Sequence, residues 1–519
     1  MTIQSDRSIG LYFVASAALL MLAVVASGMV CAAGVPMKWP ALTLAATSGH
    51  RQFVTTHQGV FNGQHIIYQT TVAETIVKSP TGKPAASIFT FAYTATGKFD
   101  PVARPVLFIF NGGPGAASNM FLLGAFGPRR MRTMTVAAWA DPSVPLVSNP
   151  FTVLDSVDLV FIDAPDTGFS RMLPGAPADL FHSVDGDAYA FGQVMLHWLE
   201  TNGRMASPKY IIGESYGTLR AVVLARDLSA GNPAVNVNGV ILVSQAITYQ
   251  GDQAYRDDPI RDANRLPGMA AVAWYWRRID RTHQTLQQAV ESARVYARTG
   301  YIDALLRGNR LIPAERRSVA SRLQTLTGIP ASYYLAHGLK IADFREELLR
   351  SQHEVLNLFD GRQLQPMLSN GKESHDYQAQ LRGLTANMRR YATEDLGVHG
   401  LGDYVGVVPD ADAYNDTWIY ARASGRTLDV VLSDYMRAHP QFRLMVTQGI
   451  FDAEATIGST EYTIAQLDVP DNQITMHYYP GGHILYSDRE GLAKFNSDVR
   501  AFISGSSGGN YPAVQLTLR

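Results

Sequence analysis

The residues that offer chemistry most directly form the pentapeptide Gly-Glu-Ser-Tyr-Gly at positions 213–217. This pentapeptide follows the largely apolar run 209–212 and precedes a helical pattern, which predicts a tight turn between a strand and a helix. Glycine on each side leaves the space that such a turn needs, and the turn lifts the Ser215 hydroxyl above the sheet. The pattern is typical of a nucleophilic serine, with an ordinary turn in a Gly-rich chain as the alternative.

A serine hydroxyl becomes a useful nucleophile when a histidine takes its proton and a carboxylate orients that histidine. After an elbow of this kind, the acid and then the histidine follow along the chain, each at the carboxyl end of a strand. Asp452 follows the run 443–450, and His483 follows the run 474–479 and two glycines. Taken singly, these two are ordinary turn or structural residues, but their order and placement predict a catalytic triad with Ser215.

Acyl chemistry also needs backbone N–H groups that stabilise the oxyanion of the tetrahedral intermediate. The loop Asn-Gly-Gly-Pro-Gly at 111–115 follows the apolar run 106–110 and offers the N–H of Gly113. Tyr216, directly after the nucleophile, offers the second N–H. A dinucleotide-binding loop is the competing interpretation, but the third glycine of that motif is missing and Pro114 removes a donor.

The elements that must hold these residues are predicted to form a mostly parallel sheet with helices. Residues 53–76 and 86–95 combine β-branched and aromatic residues with glycine, which predicts antiparallel hairpins at the start of the sheet. Later strands are short continuous apolar runs separated by helical patterns, as expected of strands buried on both faces. These runs are residues 106–110, 158–163, 210–212, 240–243 and 443–446. The fold class is therefore α/β.

Helical spacing replaces the strand pattern between residues 244 and 437. We predict a core in two parts, 34–247 and 438–519, with a mainly helical insertion at 248–437. The insertion is interpreted as a cap over the strand ends, where open α/β sheets bind ligands. An ordinary helical second domain without a role in the site is the alternative.

Composition restricts the partners of the chain. Its 519 residues are 46% hydrophobic and 17% charged, with a formal net charge of -1, so no field attracts nucleic acid or an anionic membrane. No cofactor is predicted, and no metal, because His353-Glu354 lacks the second histidine of a zinc-protease helix. The sequence assigns no oligomeric state.

The first 33 residues have the pattern of a targeting segment. Arg7 provides a positive flank, residues 9–30 are largely apolar, and small residues follow at 32 and 33. We predict a signal peptide at 1–33 and a periplasmic or secreted bacterial protein, with an uncleaved membrane anchor as the alternative. Cleavage after residue 33 would remove Cys31, the single cysteine, and exclude disulfides from the mature chain.

Four motifs in order resemble the serine carboxypeptidase family, peptidase family S10, of the α/β-hydrolase superfamily. They are the loop 111–115 with Gly127-Pro128 after it, residues 163–170, the pentapeptide 213–217, and Gly481-Gly482-His483. Residues 266–275 are similar to bacterial members of the family. The resemblance implies the α/β-hydrolase fold, with antiparallel N-terminal strands and a helical cap insertion.

The resemblance implies a serine-type carboxypeptidase that hydrolyses the C-terminal peptide bond of a peptide with a free C-terminus, through an acyl-enzyme on Ser215. It further implies that Asn111, Gly112 and a protonated Glu214 bind the substrate's carboxylate. The family's second glutamate falls at position 125, which is alanine here. Burial alone would then have to keep Glu214 protonated.

Arg129 and Arg130 are alternative binding groups for the substrate's carboxylate, because a guanidinium can form two parallel hydrogen bonds with a carboxylate. Their alternative role is at the surface or in salt bridges. Two other functions stay open for the whole chain. One is an acyltransferase or esterase that uses the same triad, and the other is an inactive hydrolase-fold binding protein.

Overall fold

One mixed sheet organises the chain in the computed structural model, which describes residues 37–97, 100–248, 258–341, 344–365 and 376–505. Its strands, together with the separate pair β5 and β6, are β1 Thr47–Phe61, β2 Gln64–Lys78, β3 Pro84–Ala95, β4 Val106–Phe110, β5 Arg129–Met131, β6 Leu146–Ser148, β7 Asp158–Ile162, β8 Arg171–Met172, β9 Lys209–Glu214, β10 Gly239–Val243, β11 Arg443–Gly449 and β12 Ile474–Tyr479. They lie in the order β1-β2-β3-β7-β4-β9-β10-β11-β12, with β8 beside β3.

The sheet begins antiparallel and continues parallel. β1, β2, β3 and β7 pair in antiparallel register, whereas β7, β4, β9, β10, β11 and β12 are parallel neighbours. Every residue of β4, β7, β9 and β10 is buried, which explains their continuous apolar runs. The predicted α/β-hydrolase fold is confirmed, and the carboxyl ends of its parallel strands meet at one edge.

Helices cover both faces of this sheet. They are α1 Asn119–Phe121, α2 Val136–Ala140, α3 Val184–Thr201, α4 Gly217–Ser229, α5 Pro259–Tyr275, α6 Leu286–Tyr296, α7 Ile302–Arg307, α8 Pro313–Thr327, α9 Ala331–Ala336, α10 Phe344–Glu347, α11 Tyr377–Gln380, α12 Arg382–Glu394, α13 Ala411–Asp416, α14 Leu428–Ala438, α15 Ile457–Ala465 and α16 Arg489–Ser504. Apolar residues of α3, α4 and α14 form one core with the sheet, and those of α12 and α16 form the other.

The described residues between β10 and β11 form helices and connecting loops, with no strand of the central sheet among them. Helices α5 to α10 share an apolar cluster of their own, which also includes Ile450, Phe451 and Ile457 from the core. The last helix of the segment, α14, instead packs against α4. The bounds of the insertion at 248 and 437, and its role as a cap, stay predictions.

The predicted signal peptide at 1–33 lies outside the described residues. Within the described part of the chain, no helix is both long enough and apolar enough to span a bilayer.

The turn between β9 and α4 has the geometry that its glycines predict. Ser215 adopts a left-handed backbone conformation with φ of 56°, and its N–H donates to the carbonyl of Val243 on the next strand at 2.9 Å. A Cβ atom placed on Gly213 would lie 2.2 Å from the carbonyl oxygen of Gly217. Such a contact is far inside van der Waals distance, so only glycine permits this turn.

We expect Gly213→Ala to displace the Ser215 hydroxyl and to slow labelling by a fluorophosphonate about 100-fold, because a displacement of about 1 Å is enough for such a loss. Second-order labelling rates measure the effect. Gly268→Ala is the matched control. The added Cβ meets its nearest atom at 3.6 Å, and alanine is favoured in a helix. Equal labelling of the two variants would contradict the assignment of the elbow.

Candidate active site

The three predicted triad residues lie at the carboxyl ends of β9, β11 and β12. His483 Nδ1 is 2.9 Å from Asp452 Oδ2. The other oxygen of Asp452 accepts the backbone N–H groups of Glu454 and Ala455, both at 2.9 Å. Asp452 is therefore held in a fixed orientation, and it in turn fixes the imidazole with its proton on Nδ1.

The imidazole of His483 shares a cavity with Ser215, the predicted nucleophile. Ser215 and His483 both line one cavity of about 820 Å³. His483 Nε2 is buried and has no hydrogen-bond partner among the described residues. The backbone N–H of His483 donates to the carbonyl of Phe359 at 2.5 Å, and Ser244 Oγ donates to its carbonyl at 2.8 Å. The unpaired nitrogen is thus held in place as a possible general base.

The charge state of His483 follows from its neighbours. Burial disfavours the imidazolium, but the Asp452 carboxylate outweighs burial through its charge and its hydrogen bond. Glu214 adds to the attraction, and together these groups raise the pKa of His483 to about 9. The ionisation of Glu214 therefore affects the proton affinity of the triad histidine.

The predicted oxyanion loop packs directly on the elbow. A Cβ on Gly112 would come within 2.6 Å of both the Glu214 carbonyl oxygen and the Tyr216 nitrogen. Gly113 follows with φ of 102°, and Gly113 and Tyr216 line the same cavity as Ser215. Two backbone segments from different strands are therefore close enough to share one oxyanion.

A buried ion pair connects the two sides of this oxyanion site. Arg220 Nε donates to Asp187 Oδ2 at 2.7 Å, and Arg220 Nη1 donates to the Asn111 carbonyl at 2.9 Å. The Tyr216 hydroxyl donates to the same Asp187 oxygen at 3.1 Å. The guanidinium also lies 3.9 Å from the centre of the Phe191 ring, a cation–π contact. Loop and elbow are thus fixed by one charged pair.

Glu214 lies beside the nucleophile and is almost completely buried, with 2% of its surface exposed. Asn111 Nδ2 donates to Oε2, and the Tyr486 hydroxyl lies 3.0 Å from Oε2 and 3.3 Å from Oε1. Burial raises the pKa of Glu214 to about 7, against the opposing effects of His483, Tyr486 and Asn111. The carboxyl group is therefore largely neutral in acidic solution without a second acid beside it.

The other sequence positions considered for carboxylate binding lie away from the cavity. The cavity lining includes Asn111, Gly112 and Glu214 but not Ala125, Arg129 or Arg130. Arg130 Nη1 donates to the carbonyls of Met131 and Arg132 at 2.9 and 3.1 Å. The structure thus brings the predicted triad, oxyanion and substrate-binding residues together and leaves the two arginines outside.

The lining also contains residues of the helical segment, such as Arg265, Phe344 and Tyr377. Among the described residues, no group of three or more histidine, cysteine, aspartate or glutamate side chains is arranged to hold a metal ion. The arrangement of the predicted residues can supply a serine nucleophile, an imidazole base and two backbone donors.

A family model described as serine carboxypeptidase, peptidase family S10, matches residues 81–473. The chain belongs to this family. The matched residues include Ser215 and Asp452 and end ten residues before His483, so for this serine carboxypeptidase family member the predicted histidine is supported by its contact with Asp452 in the structure.

Individual relatives of this serine carboxypeptidase family member are distant. Serine carboxypeptidase-like 13 of Arabidopsis thaliana is 27% identical over 168 residues, which are 32% of this chain and 38% of that relative. Serine carboxypeptidase-like 48 of the same plant is 31% identical over 159 residues, 30% of this chain and 28% of the relative. Both matches span well under half of the relatives' length.

The crystal structure of Kex1Δp, a prohormone-processing carboxypeptidase from Saccharomyces cerevisiae, shares the fold. It aligns with a TM-score of 0.54 and 13% sequence identity, over 85% of this chain and 92% of that one. At this identity the likeness bears on the fold alone.

Sequence reasoning missed Asp187, Arg220 and Tyr486. Asp187 and Arg220 had a usable signal, because each is a charged residue among the apolar residues on the buried face of its helix, and such charges are normally paired. Tyr486 had none, since a tyrosine three residues after His483 looks like an ordinary core residue.

We expect Glu214→Gln to shift the pH dependence of Ser215 labelling to lower pH by about one unit. An ionised Glu214 stabilises the imidazolium and raises the pKa of His483, so loss of the negative charge lowers this pKa. The neutral base then persists into more acidic solution. An uncharged fluorophosphonate is the appropriate probe, because its binding does not depend on carboxylate recognition.

Glu454→Gln is the control for this shift, because Glu454 also raises the pKa of His483 but ranks below Glu214 among the causes. We expect its profile to move less than that of Glu214→Gln. A Glu214→Gln profile that superimposes on the wild type, or moves to higher pH, would show that the two groups are not coupled.

Proposed function

We propose that the chain is a serine-type carboxypeptidase that removes the C-terminal residue of a peptide through an acyl-enzyme on Ser215. The observation that carries the proposal is the buried Glu214 beside Asn111, in the same cavity as Ser215 and His483. Burial raises the pKa of Glu214 to about 7, so its carboxyl group is neutral in acidic solution. A neutral carboxyl group is a hydrogen-bond donor as well as an acceptor, so it can face another carboxylate without repulsion.

The acylation step uses the triad and the two backbone donors. Ser215 Oγ attacks the carbonyl carbon of the last peptide bond while His483 Nε2 takes the hydroxyl proton. The N–H groups of Gly113 and Tyr216 stabilise the oxyanion. His483 then gives the proton to the departing amine, the C–N bond breaks, and water releases the acyl group by the same steps in reverse.

Selection for a free C-terminus comes from the other side of Ser215. Below pH 7 the protonated Glu214 donates a hydrogen bond to the substrate's carboxylate, Asn111 holds the Glu214 carboxyl group in place, and the N–H of Gly112 is a further donor. Above pH 7 an ionised Glu214 repels that carboxylate. We therefore expect the KM for such peptides to rise with pH.

The cavity is large enough for a peptide end. Its volume of about 820 Å³ lies in the range of about 300–1,000 Å³ that is usual for ligand sites. Part of the wall comes from α5, α10 and α11, so the helical segment is placed to select the substrate's side chains. This is the role that we propose for it as a cap.

Export to a bacterial periplasm or to the medium is part of the proposal. It rests on the charge and apolar pattern of residues 1–33.

The proposed partner is a peptide with a free C-terminus, because the family to which the chain belongs is a peptidase family.

We expect the enzyme to cleave a peptide with a free C-terminus about 100-fold more efficiently than its C-terminally amidated form at pH 5.5. Two hydrogen bonds to a charged group, at about 1.5 kcal/mol each, correspond to this ratio. The preference should decline as pH passes 7, where Glu214 ionises. Steady-state kcat/KM values for the matched peptide pair measure it.

Ser215→Ala is the control, and it should abolish both cleavage and fluorophosphonate labelling. Equal cleavage of the two peptides at pH 5.5 would refute the carboxypeptidase proposal and favour an esterase or acyltransferase on the same triad. A wild-type protein that the probe does not label would instead favour an inactive binding protein.

A further inference from the structure

The carboxyl group of Glu214 receives hydrogen bonds from two side chains, and one of them has no role in the chemistry described so far. Tyr486 is 1% exposed, and its hydroxyl lies 3.0 Å from Glu214 Oε2 and 3.3 Å from Oε1. It comes three residues after His483, on the connection between β12 and α16. One short loop therefore carries both the predicted general base, His483, and a residue that contacts Glu214, the predicted binding group for the substrate's carboxylate.

The ring of Tyr486 is held rigidly between aromatic neighbours. It stacks on Phe121 at 5.4 Å and on Phe495 at 5.8 Å, with interplanar angles of 27° and 14°. Its edge lies against Gly124, where an added Cβ would come within 2.8 Å of the ring. The packing leaves the ring no room to turn away, so the hydroxyl stays directed at Glu214.

The groups that face Glu214 determine which of its oxygens carries the proton. Oε2 accepts from Asn111 Nδ2 and lies nearer to the Tyr486 hydroxyl, whereas Oε1 has only the longer contact to Tyr486. Burial raises the pKa of Tyr486 well above its usual value, so its hydroxyl remains a donor. With two donors at Oε2, the proton of a neutral Glu214 is best placed on Oε1.

The charged groups with the largest effects on Glu214 among the described residues are two members of the predicted triad. His483 attracts its carboxylate form and Asp452 disfavours it. Tyr486 and Asn111 stabilise the carboxylate form by donating hydrogen bonds. Among the described residues, no carboxylic acid is hydrogen-bonded to Glu214. Tyr486 thus occupies the position of a partner that orients Glu214 without sharing a proton with it.

We propose that Tyr486 is a positioning residue that orients Glu214 for recognition of the substrate's C-terminal carboxylate and sets the pH at which this recognition is lost. The inference rests on the proposed carboxypeptidase function. It adds a residue outside the motifs on which that function was recognised. Because a hydroxyl donor favours the ionised form of Glu214, Tyr486 lowers the upper pH limit of carboxylate binding.

The variant Tyr486→Phe keeps the stacked ring and removes the hydroxyl. We expect the KM for a free-carboxylate peptide at pH 5.5 to rise about 5-fold, because Glu214 is less well oriented, with kcat changed less than 2-fold. The pH at which KM begins to increase should move upward by about half a unit or more, since the ionised form has lost a donor. Labelling by an uncharged fluorophosphonate should keep its rate at pH 5.5.

Tyr479→Phe is the matched control. Tyr479 is also a buried tyrosine packed on Phe495, but its hydroxyl donates to Asp498 at 2.6 Å, and it does not line the cavity. We expect this variant to leave the pH dependence of KM unchanged. A shift of equal size in both variants would assign the effect to general loosening of the core and overturn the proposal.

Replacement of Tyr486 by 3-fluorotyrosine tests the same idea without removal of the hydroxyl, and it applies if Tyr486→Phe fails to fold. The more acidic hydroxyl is a stronger donor, so the pH at which KM rises should move downward. A KM profile that superimposes on the wild type for Tyr486→Phe, or for 3-fluorotyrosine when that variant does not fold, would overturn the inference.

The wild type in the same experiment separates this inference from the function on which it rests. If wild-type enzyme discriminates between the free and amidated peptides while the Tyr486 variants leave the KM profile in place, only the role of Tyr486 is wrong. If the wild type shows no discrimination, the carboxypeptidase function itself fails.

Discussion

The active-site edge depends on the close approach of two backbone segments. The loop after β4 and the elbow after β9 come so near to each other at Gly112 that any side chain there would overlap the elbow backbone. This approach brings Gly113 and Tyr216, the two predicted oxyanion donors, into the lining of one cavity. It also buries Glu214 under the loop, and this burial raises the pKa of the Glu214 carboxyl group. One backbone contact therefore accounts for both the predicted oxyanion site and the raised pKa of Glu214.

Asp187 and Arg220 are charged side chains that are buried beside this contact, and each offsets the electrostatic cost of burying the other. Each charge alone would be strongly destabilising inside the core. Together they satisfy one another, the Tyr216 hydroxyl and the Asn111 carbonyl. The pair also connects α3, α4 and the β4 loop, which gives the site a rigidity that the glycines by themselves would not provide.

The sequence predicts those parts of the molecule that local rules control. Ser215, Asp452 and His483 could be predicted because each follows a strand and a glycine turn, and helix α8 has a local signal at each end, Pro313 at its first position and Gly328 directly after its last. Helix α5 also has a local signal at its start, where Asp258 is the N-cap and Pro259 is the first helical residue. Contacts such as that between Tyr486 and Glu214 join residues 272 positions apart, and no local pattern encodes them.

In the proposed carboxypeptidase, the position of Glu214 next to His483 couples substrate recognition to activation of the nucleophile through one proton. With a single proton between the two groups, it rests either on Glu214, leaving His483 free to act as a base, or on His483, leaving Glu214 charged. A bound C-terminal carboxylate favours the first arrangement because it needs the hydrogen bond from Glu214. A substrate with a free C-terminus would then increase the fraction of His483 that is free to act as a base. An amidated peptide would not have this effect.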